Sequence, residues 1–570
     1  MQYSYNFYDS LTEKLERKSG IRETYEYYPD GSIKSAIAEG MRYSYSYYTN
    51  GSLKEKSASG KRLLSYEYDL NGNKIKQTDV TGKTTEYIYN ELDQLLEIHD
   101  GGKCITAFKY NDDGTIKEAV SANGMKNLYG YDTDKNLISL NINFNGKILA
   151  QNRYTYDYNG NRTEKQQLQG TTYYTYDSIS QLTNVKYPDY EEQLFYDKAG
   201  NRSKRIVNDV TEHYLYDKRN RLIRQVFQQP TGTTAKHYIY DNAGSLMNDG
   251  EKVYKNDGFN RVTQVTNNKG QVQINRYDAE GLRYEMEENK KLVQFIFNEN
   301  REVVVEQSNS DIKRLIRSYD LWASESEPEK TWYHYASDEQ GSTIFITDEE
   351  KICNRYDYDA WGNLTTCEEI IPNRYLYTGQ QFDQITQQYY LRARYYNPVI
   401  ARFTQEDIYR GDGLNLYTYC DNNPIIYYDP SGYAACGPQL KNPLEKKYTP
   451  VEYKGTVNIK GNVRDVSRRV YQRNDIDWDL EIIPGVTNRD LALKGQSPYA
   501  NDRTLIELHH LTQREPGAMV EIPASTHDKY SGILHGLVEN GKSFRRNPVL
   551  NKQYNNFRRK YWRWRVKNIK

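Results

Sequence analysis

Four of the eight histidines in this 570-residue chain, His509, His510, His527 and His535, fall within 27 residues. Imidazoles grouped in this way can hold a divalent ion and can take a proton from water near neutral pH. The local text, NDRTLIELHHLTQREPGAMVEIPASTHDKYSGILHG, also carries Arg503 and Glu507 ahead of the pair. His509, His527 and His535 are the expected ligands of a zinc or magnesium ion, with positions left for phosphate and water. Neighbouring strand residues point to opposite faces, so His510 need not be a ligand when His509 is one. It can instead deprotonate the water that attacks a phosphodiester. A zinc held only for structure would use the same histidines. Glu521 is equally well a strand-surface charge.

The last thirty residues hold eleven Lys or Arg and no acid. Phe557, Tyr561 and Trp564 fall at i, i+4 and i+7, an apolar helical stripe, and Arg558, Arg559, Arg563 and Arg565 interleave with them. The stripe is expected to pack on the domain and the four arginines to reach phosphates. A helix lying on a membrane surface is the competing reading. Residues 434–570 carry 25 basic and 14 acidic side chains, whereas the whole chain balances at 77 and 77, so a basic C-terminal part follows an acidic one.

Positioning the histidines requires a short strand ending at the His pair, a turn through Glu515-Pro516-Gly517, a second strand AMVEIP and a helix starting near Ala524 or Ser525. This ββα segment resembles the HNH/endonuclease VII superfamily, in its branch named for Leu-His-His, here Leu508-His509-His510. Gln513, Gly517, Glu521, Leu534-His535 and the YWRWR tail fit that branch over roughly residues 490–570. Its colicin-type DNases have an R-x3-E-x-H-H arrangement, which Arg503, Glu507, His509 and His510 reproduce. The resemblance implies that Arg503 contacts phosphate, Glu507 orients the His510 base and His509 binds metal. Ser531 stands where those enzymes place their last histidine.

Upstream, a tyrosine followed by a polar turn recurs from Tyr8 to Tyr240, mostly at steps of 20 or 21 residues, in a chain with 57 tyrosines. The unit Y-x-Y-D-x-x-G-N, as in YTYDYNGNR around Tyr156, predicts a β-hairpin with a tight turn. Hairpins that cannot bury their own faces stack into a continuous spiralling sheet. The pattern resembles the YD-repeat, or Rhs, family, whose members coil such repeats into a β-shell enclosing a C-terminal cargo. Periodicity alone also permits an open solenoid. The stretch from YHYASDEQGSTIFIT to YYDPSGY resembles the Rhs-associated core, which implies an aspartyl-type self-cleavage. The matching residues are Arg402, Asp407 and Asp429, with the cut after Tyr433. Ala401, Ile408 and Tyr433 depart from the family pattern, and both aspartates could simply cap turns.

The fold expected is thus mainly β: a YD-repeat hairpin spiral over residues 1–335, an Rhs core over 336–433, a linker and the start of the toxin region over 434–485, and a small α+β (ββα-metal) nuclease over 486–570. With no run of eighteen apolar residues and a mean hydropathy of −0.95, a transmembrane span is excluded. The 13% aromatic content argues against disorder. The first twenty residues lack a secretory signal, and five scattered cysteines form no CxxC pair. The resemblance implies a polymorphic toxin, secreted or displayed at the cell surface, whose released endonuclease cleaves DNA in the cytoplasm of a competitor. It further implies an immunity protein as partner and the chain's own shell as container. The alternatives are a carbohydrate-binding adhesin scaffold and an RNase on the same site.

Overall fold

The computed structural model describes the chain apart from residues 9, 18, 310, 328, 409–414, 437–447, 460, 475, 484, 501–502, 511–518, 530–546 and 569–570. It divides into two compact units, Met1–Asn442 and Pro443–Lys570.

In the first unit the strands within each sheet pair antiparallel with their sequence neighbours, giving a 23-stranded sheet and then a 14-stranded one among the described residues. The YD motif explains each corner. In the repeat around Tyr156, Asp157 Oδ1 accepts N–H bonds from Asn159 and Asn161, both at 2.9 Å, and Gly160 takes φ +81°. That φ favours glycine, and the Asp side chain closes a turn the backbone cannot close alone. The second tyrosine of many motifs sits at a β-bulge, with its hydroxyl donating to a carbonyl of the preceding unit. Tyr156 bonds Leu137 O at 2.8 Å, Tyr176 Arg162 O at 2.6 Å and Tyr196 Leu182 O at 2.7 Å. The first tyrosine, two residues earlier on the same face, is buried, as at Tyr154, Tyr174 and Tyr214. The tyrosine period thus buries rings while pairing many of their hydroxyls, which an aliphatic core has no need to do.

The spiral returns onto itself. Arg261 pairs with Glu23 across 238 residues, the Tyr25 hydroxyl reaches Ala279 O across 254, and Arg314 reaches Asp79 across 235. Arg314 is 1% exposed and is held by Asp79, Asp100 and Glu325 together, so its charge is compensated where water is excluded. Residues 381–403 add a small four-stranded sheet of buried tyrosines.

The second unit has a four-stranded sheet in the order Tyr448–Tyr453, Arg468–Arg473, Met519–Pro523, Ile506–His510. Arg468–Arg473 lies parallel to Met519–Pro523, and Ile506–His510 pairs antiparallel with it. Residues 448–473 therefore supply half of the sheet that carries the histidine strand. The helix Pro548–Lys567, capped by Asn547, buries Phe557, Tyr561 and Trp562 completely against Tyr453, Val470, Ile506 and Leu508.

Candidate functional site

Alternation along Ile506–His510 sends Ile506 and Leu508 into the core, 0% and 3% exposed. Glu507 and His509 occupy the other face. The Tyr554 hydroxyl of the terminal helix donates to Leu508 O at 2.9 Å and fixes the strand from its core side. After Met519–Pro523 the chain turns directly into the helix Ala524–Lys529, whose first N–H donates to Leu505 O at 2.8 Å. This places His527 over the Glu507/His509 face. The His509 and His527 rings lie 5.0 Å apart between centroids, and Glu507 Oε2 is 2.9 Å from His527 Nδ1.

The strand, strand and helix follow the order expected from the sequence, and His509 and His527 come together although 18 residues separate them. Glu507 meets His527 Nδ1, and the side chain of His510, the base that Glu507 is expected to orient, lies outside what is described. A carboxylate on Nδ1 fixes the imidazole tautomer with its proton there and presents Nε2 as a ligand atom. Of His510 only the backbone is described, paired opposite Met519. His535 lies outside the described residues. Arg503 is exposed at φ +63° in the turn leading into the strand, its N–H donating to Ala500 O at 2.9 Å.

The four C-terminal arginines divide. Arg558, Arg559 and Arg563 are exposed, and Arg563 also donates to Lys494 O at 3.1 Å. Arg565 is 7% exposed and is not available to phosphate, which corrects its assignment to nucleic-acid binding. Its guanidinium pairs with Glu521 at 3.2 Å and donates to Arg473 O at 2.9 Å. Helical spacing is the cause: Arg565 stands four residues after Tyr561 and eight after Phe557, on the buried stripe itself. Glu521, 0% exposed, is no surface charge, since it also accepts from the Tyr561 hydroxyl at 2.5 Å and Arg473 N–H at 2.7 Å. Burial pushes its carboxyl up, with Arg565 and Tyr561 opposing that rise.

The aspartates of the core region form a second constellation. Asp407 and Asp429 are 4% and 1% exposed, and both face one guanidinium, that of Arg394, at 2.8 and 3.7 Å. Asp429 Oδ1 accepts N–H bonds from Ser431 at 3.0 Å and Gly432 at 2.7 Å, folding the DPSG turn around itself. Arg394 Nε donates to Gly432 O, one residue before the expected cut at half-buried Tyr433. Burial raises the Asp429 carboxyl, while Arg394 and the turn N–H groups oppose the rise. Gly432 has φ +76°, and a Cβ there would fall 2.6 Å from Leu391 O, so no other residue fits.

Arg402, the arginine expected at this site, is elsewhere. It donates to Asn201 Oδ1 at 3.0 Å and Asn220 O at 2.6 Å and lies over the Tyr216 ring, pinning repeat turns together. Arg394 takes the position the sequence reading gave to Arg402. The missed signal is that Arg394, like Arg402, stands close before Asp407, and spacing alone did not separate the two.

Comparison with known proteins agrees with this division. Residues 487–568 match the family described as a nuclease of the HNH/ENDO VII superfamily with conserved LHH. Residues 163–425 match the teneurin YD-shell and residues 68–103 the RHS repeat. Among curated proteins, the tRNA(Glu)-specific nuclease WapA of Bacillus subtilis subsp. natto is 31% identical over 371 residues, covering 61% of this chain and 15% of its own length. The tRNA nuclease WapA of Bacillus subtilis strain 168 is 28% identical over 371 residues, covering 61% and 16%. The chain thus spans about one sixth of the length of these relatives. The Photorhabdus luminescens Tc holotoxin pore superposes with a TM-score of 0.57 at 16% identity, covering 77% of this chain and 27% of that one, a likeness of fold. The chain belongs to the Rhs, or YD-repeat, family and carries at its C-terminal end a nuclease domain of the LHH branch of the HNH/ENDO VII superfamily.

Proposed function

We propose that the chain belongs to a secreted Rhs-type toxin whose nuclease domain, released by self-cleavage after Tyr433, is a metal-dependent endonuclease acting on DNA in a competitor cell. The observation that carries this reading is the pairing of His509 and His527 at 5.0 Å with Glu507 on His527 Nδ1. Two imidazoles from different elements, one oriented by a carboxylate, suit a divalent ion, with His535 as the remaining ligand. When bound, such an ion supplies stabilisation of the charge developing on phosphate and on the leaving 3′-oxygen. His510 is assigned the proton of the attacking water, and Arg503, Arg558, Arg559 and Arg563 the backbone phosphates. Asp407 and Asp429 are assigned self-cleavage, one as base on water and the other donating to the Tyr433 carbonyl, with Arg394 holding both. An immunity protein would protect the producing cell.

RNA is the second reading, favoured by the WapA relatives, which are tRNA nucleases. A match of 371 residues exceeds the 443–570 unit, however, so it rests chiefly on the repeats. The test incubates the full chain, and its His509→Ala and His510→Ala variants, with plasmid DNA and total RNA under Mg²⁺, Zn²⁺ or EDTA. DNA cleavage that needs metal and falls about 100-fold or more in either variant is expected. Degraded RNA beside intact DNA selects the second reading. If both nucleic acids survive every metal, the nuclease assignment fails.

A further inference from the structure

Glu97 and His99 lie two apart on the strand Leu95–Asp100, and Cys104 lies on the next strand, Lys103–Tyr110. Residues two apart share a face, and a bulge after Ile98 sets His99 directly opposite Cys104. Gly101 and Gly102, both at positive φ, make the tight turn between the strands. The alternate residues Ile98 and Ile105 are 0% exposed in the core, so the three polar side chains occupy the other face. His99 Nε2 is 2.6 Å from Glu97 Oε2, and one ligand atom from each of Glu97, His99 and Cys104 lies within 4.8 Å of the others. All three are half-buried, and Glu86 stands opposite His99 on the neighbouring strand Thr84–Tyr89.

One imidazole nitrogen, one thiol and one carboxylate form a mixed donor set that suits zinc better than the oxygen-seeking Mg²⁺ or Ca²⁺. We propose that Glu97, His99 and Cys104 bind a zinc ion on the repeat sheet, with a fourth position for water or the Glu86 carboxylate. The ion takes the place of the proton shared between Glu97 and His99 and displaces the Cys104 thiol proton to solvent, with no change of oxidation state. Bond lengths of about 2.0 Å to nitrogen and oxygen and 2.3 Å to sulfur put ligand atoms roughly 3.3–3.5 Å apart in a tetrahedral site. The ion would clamp the register of this hairpin at its bulge.

The test uses Co²⁺ as a spectroscopic probe on the full chain. A thiolate-to-cobalt charge-transfer band is expected, which the cysteine-free C-terminal histidine set cannot produce. Zn²⁺ should abolish the band by competition and slow iodoacetamide labelling of Cys104, read peptide by peptide. His99→Ala should weaken Zn²⁺ binding about 10-fold or more, and Cys104→Ser should remove the band with circular dichroism unchanged. The proposal is overturned if the parent shows no band, if the band survives Cys104→Ser, or if Zn²⁺ leaves the labelling rate of Cys104 unaltered. None of these readouts depends on nuclease activity.

Discussion

Four arginines show how one side-chain type takes different parts according to where its element places it. Arg394 is buried against two carboxylates, so removing it leaves Asp407 and Asp429 facing each other without a counter-charge. Arg394→Ala should therefore abolish self-cleavage, whereas Arg402→Ala, which removes bonds to repeat turns, should leave cleavage and lower stability. Gel analysis of the purified variants for the two fragments checks both, and cleavage that persists in Arg394→Ala refutes the assignment. Arg565 has the same structural character in the second unit. Glu521→Ala strands its buried guanidinium and should cost about 3–5 kcal/mol of stability. Arg558→Ala should leave stability unchanged and lower the salt slope of nucleic-acid binding by about one. Urea titration and filter binding at several salt concentrations separate the two classes.

At the scale of the element, the YD turn tolerates either Asp or Asn in its closing position. Asn298 Oδ1 accepts from Asn300 and Glu302 N–H just as Asp278 Oδ1 accepts from Glu280 and Leu282, all at 2.9 Å. Asp278 differs in that burial, followed by the neighbouring Glu280 charge, pushes its carboxyl up to about 7, with Lys56 opposing. Its folded value lies above the unfolded value of about 3.9, so the folded state binds the proton more tightly. The resulting stability is complete below about pH 4 and is lost as pH rises towards 7. Asp278→Asn should thus gain on the parent as pH rises from 5 to 8, measured as urea midpoints; an equal difference at both values would remove the carboxyl as the cause. The turn itself was legible in the sequence, because Asp, Gly and Asn act through neighbours two to four residues away. The ββα order around His509 was legible for the same reason, since strand alternation and the Pro523-Ala524 junction are local. What sequence could not give were partners from distant segments: Glu521 for Arg565, Arg394 for Asp429, and Glu507 turned to His527. The burial of Arg565 alone was within reach, because its helical spacing from Tyr561 places it on the apolar stripe.

At the scale of the molecule, residues 434–570 carry a net charge of about +11 and the remainder about −11, since the totals cancel. Charges of that size attract across several ångströms in dilute salt, and the Debye length contracts from about 10 Å at 0.1 M to about 3 Å at 1 M. With the proposed cut after Tyr433 made, the basic fragment should therefore stay with the acidic one for as long as the ionic strength is low. Size-exclusion chromatography of the self-cleaved protein is expected to show the two fragments eluting together at 0.1 M salt and apart at 1 M, with an Asp429→Asn variant eluting as one chain throughout. Separation at both salt concentrations would mean that charge does not retain the cargo. Co-elution at both would shift the retaining force to apolar contact or enclosure, which salt strengthens or leaves alone.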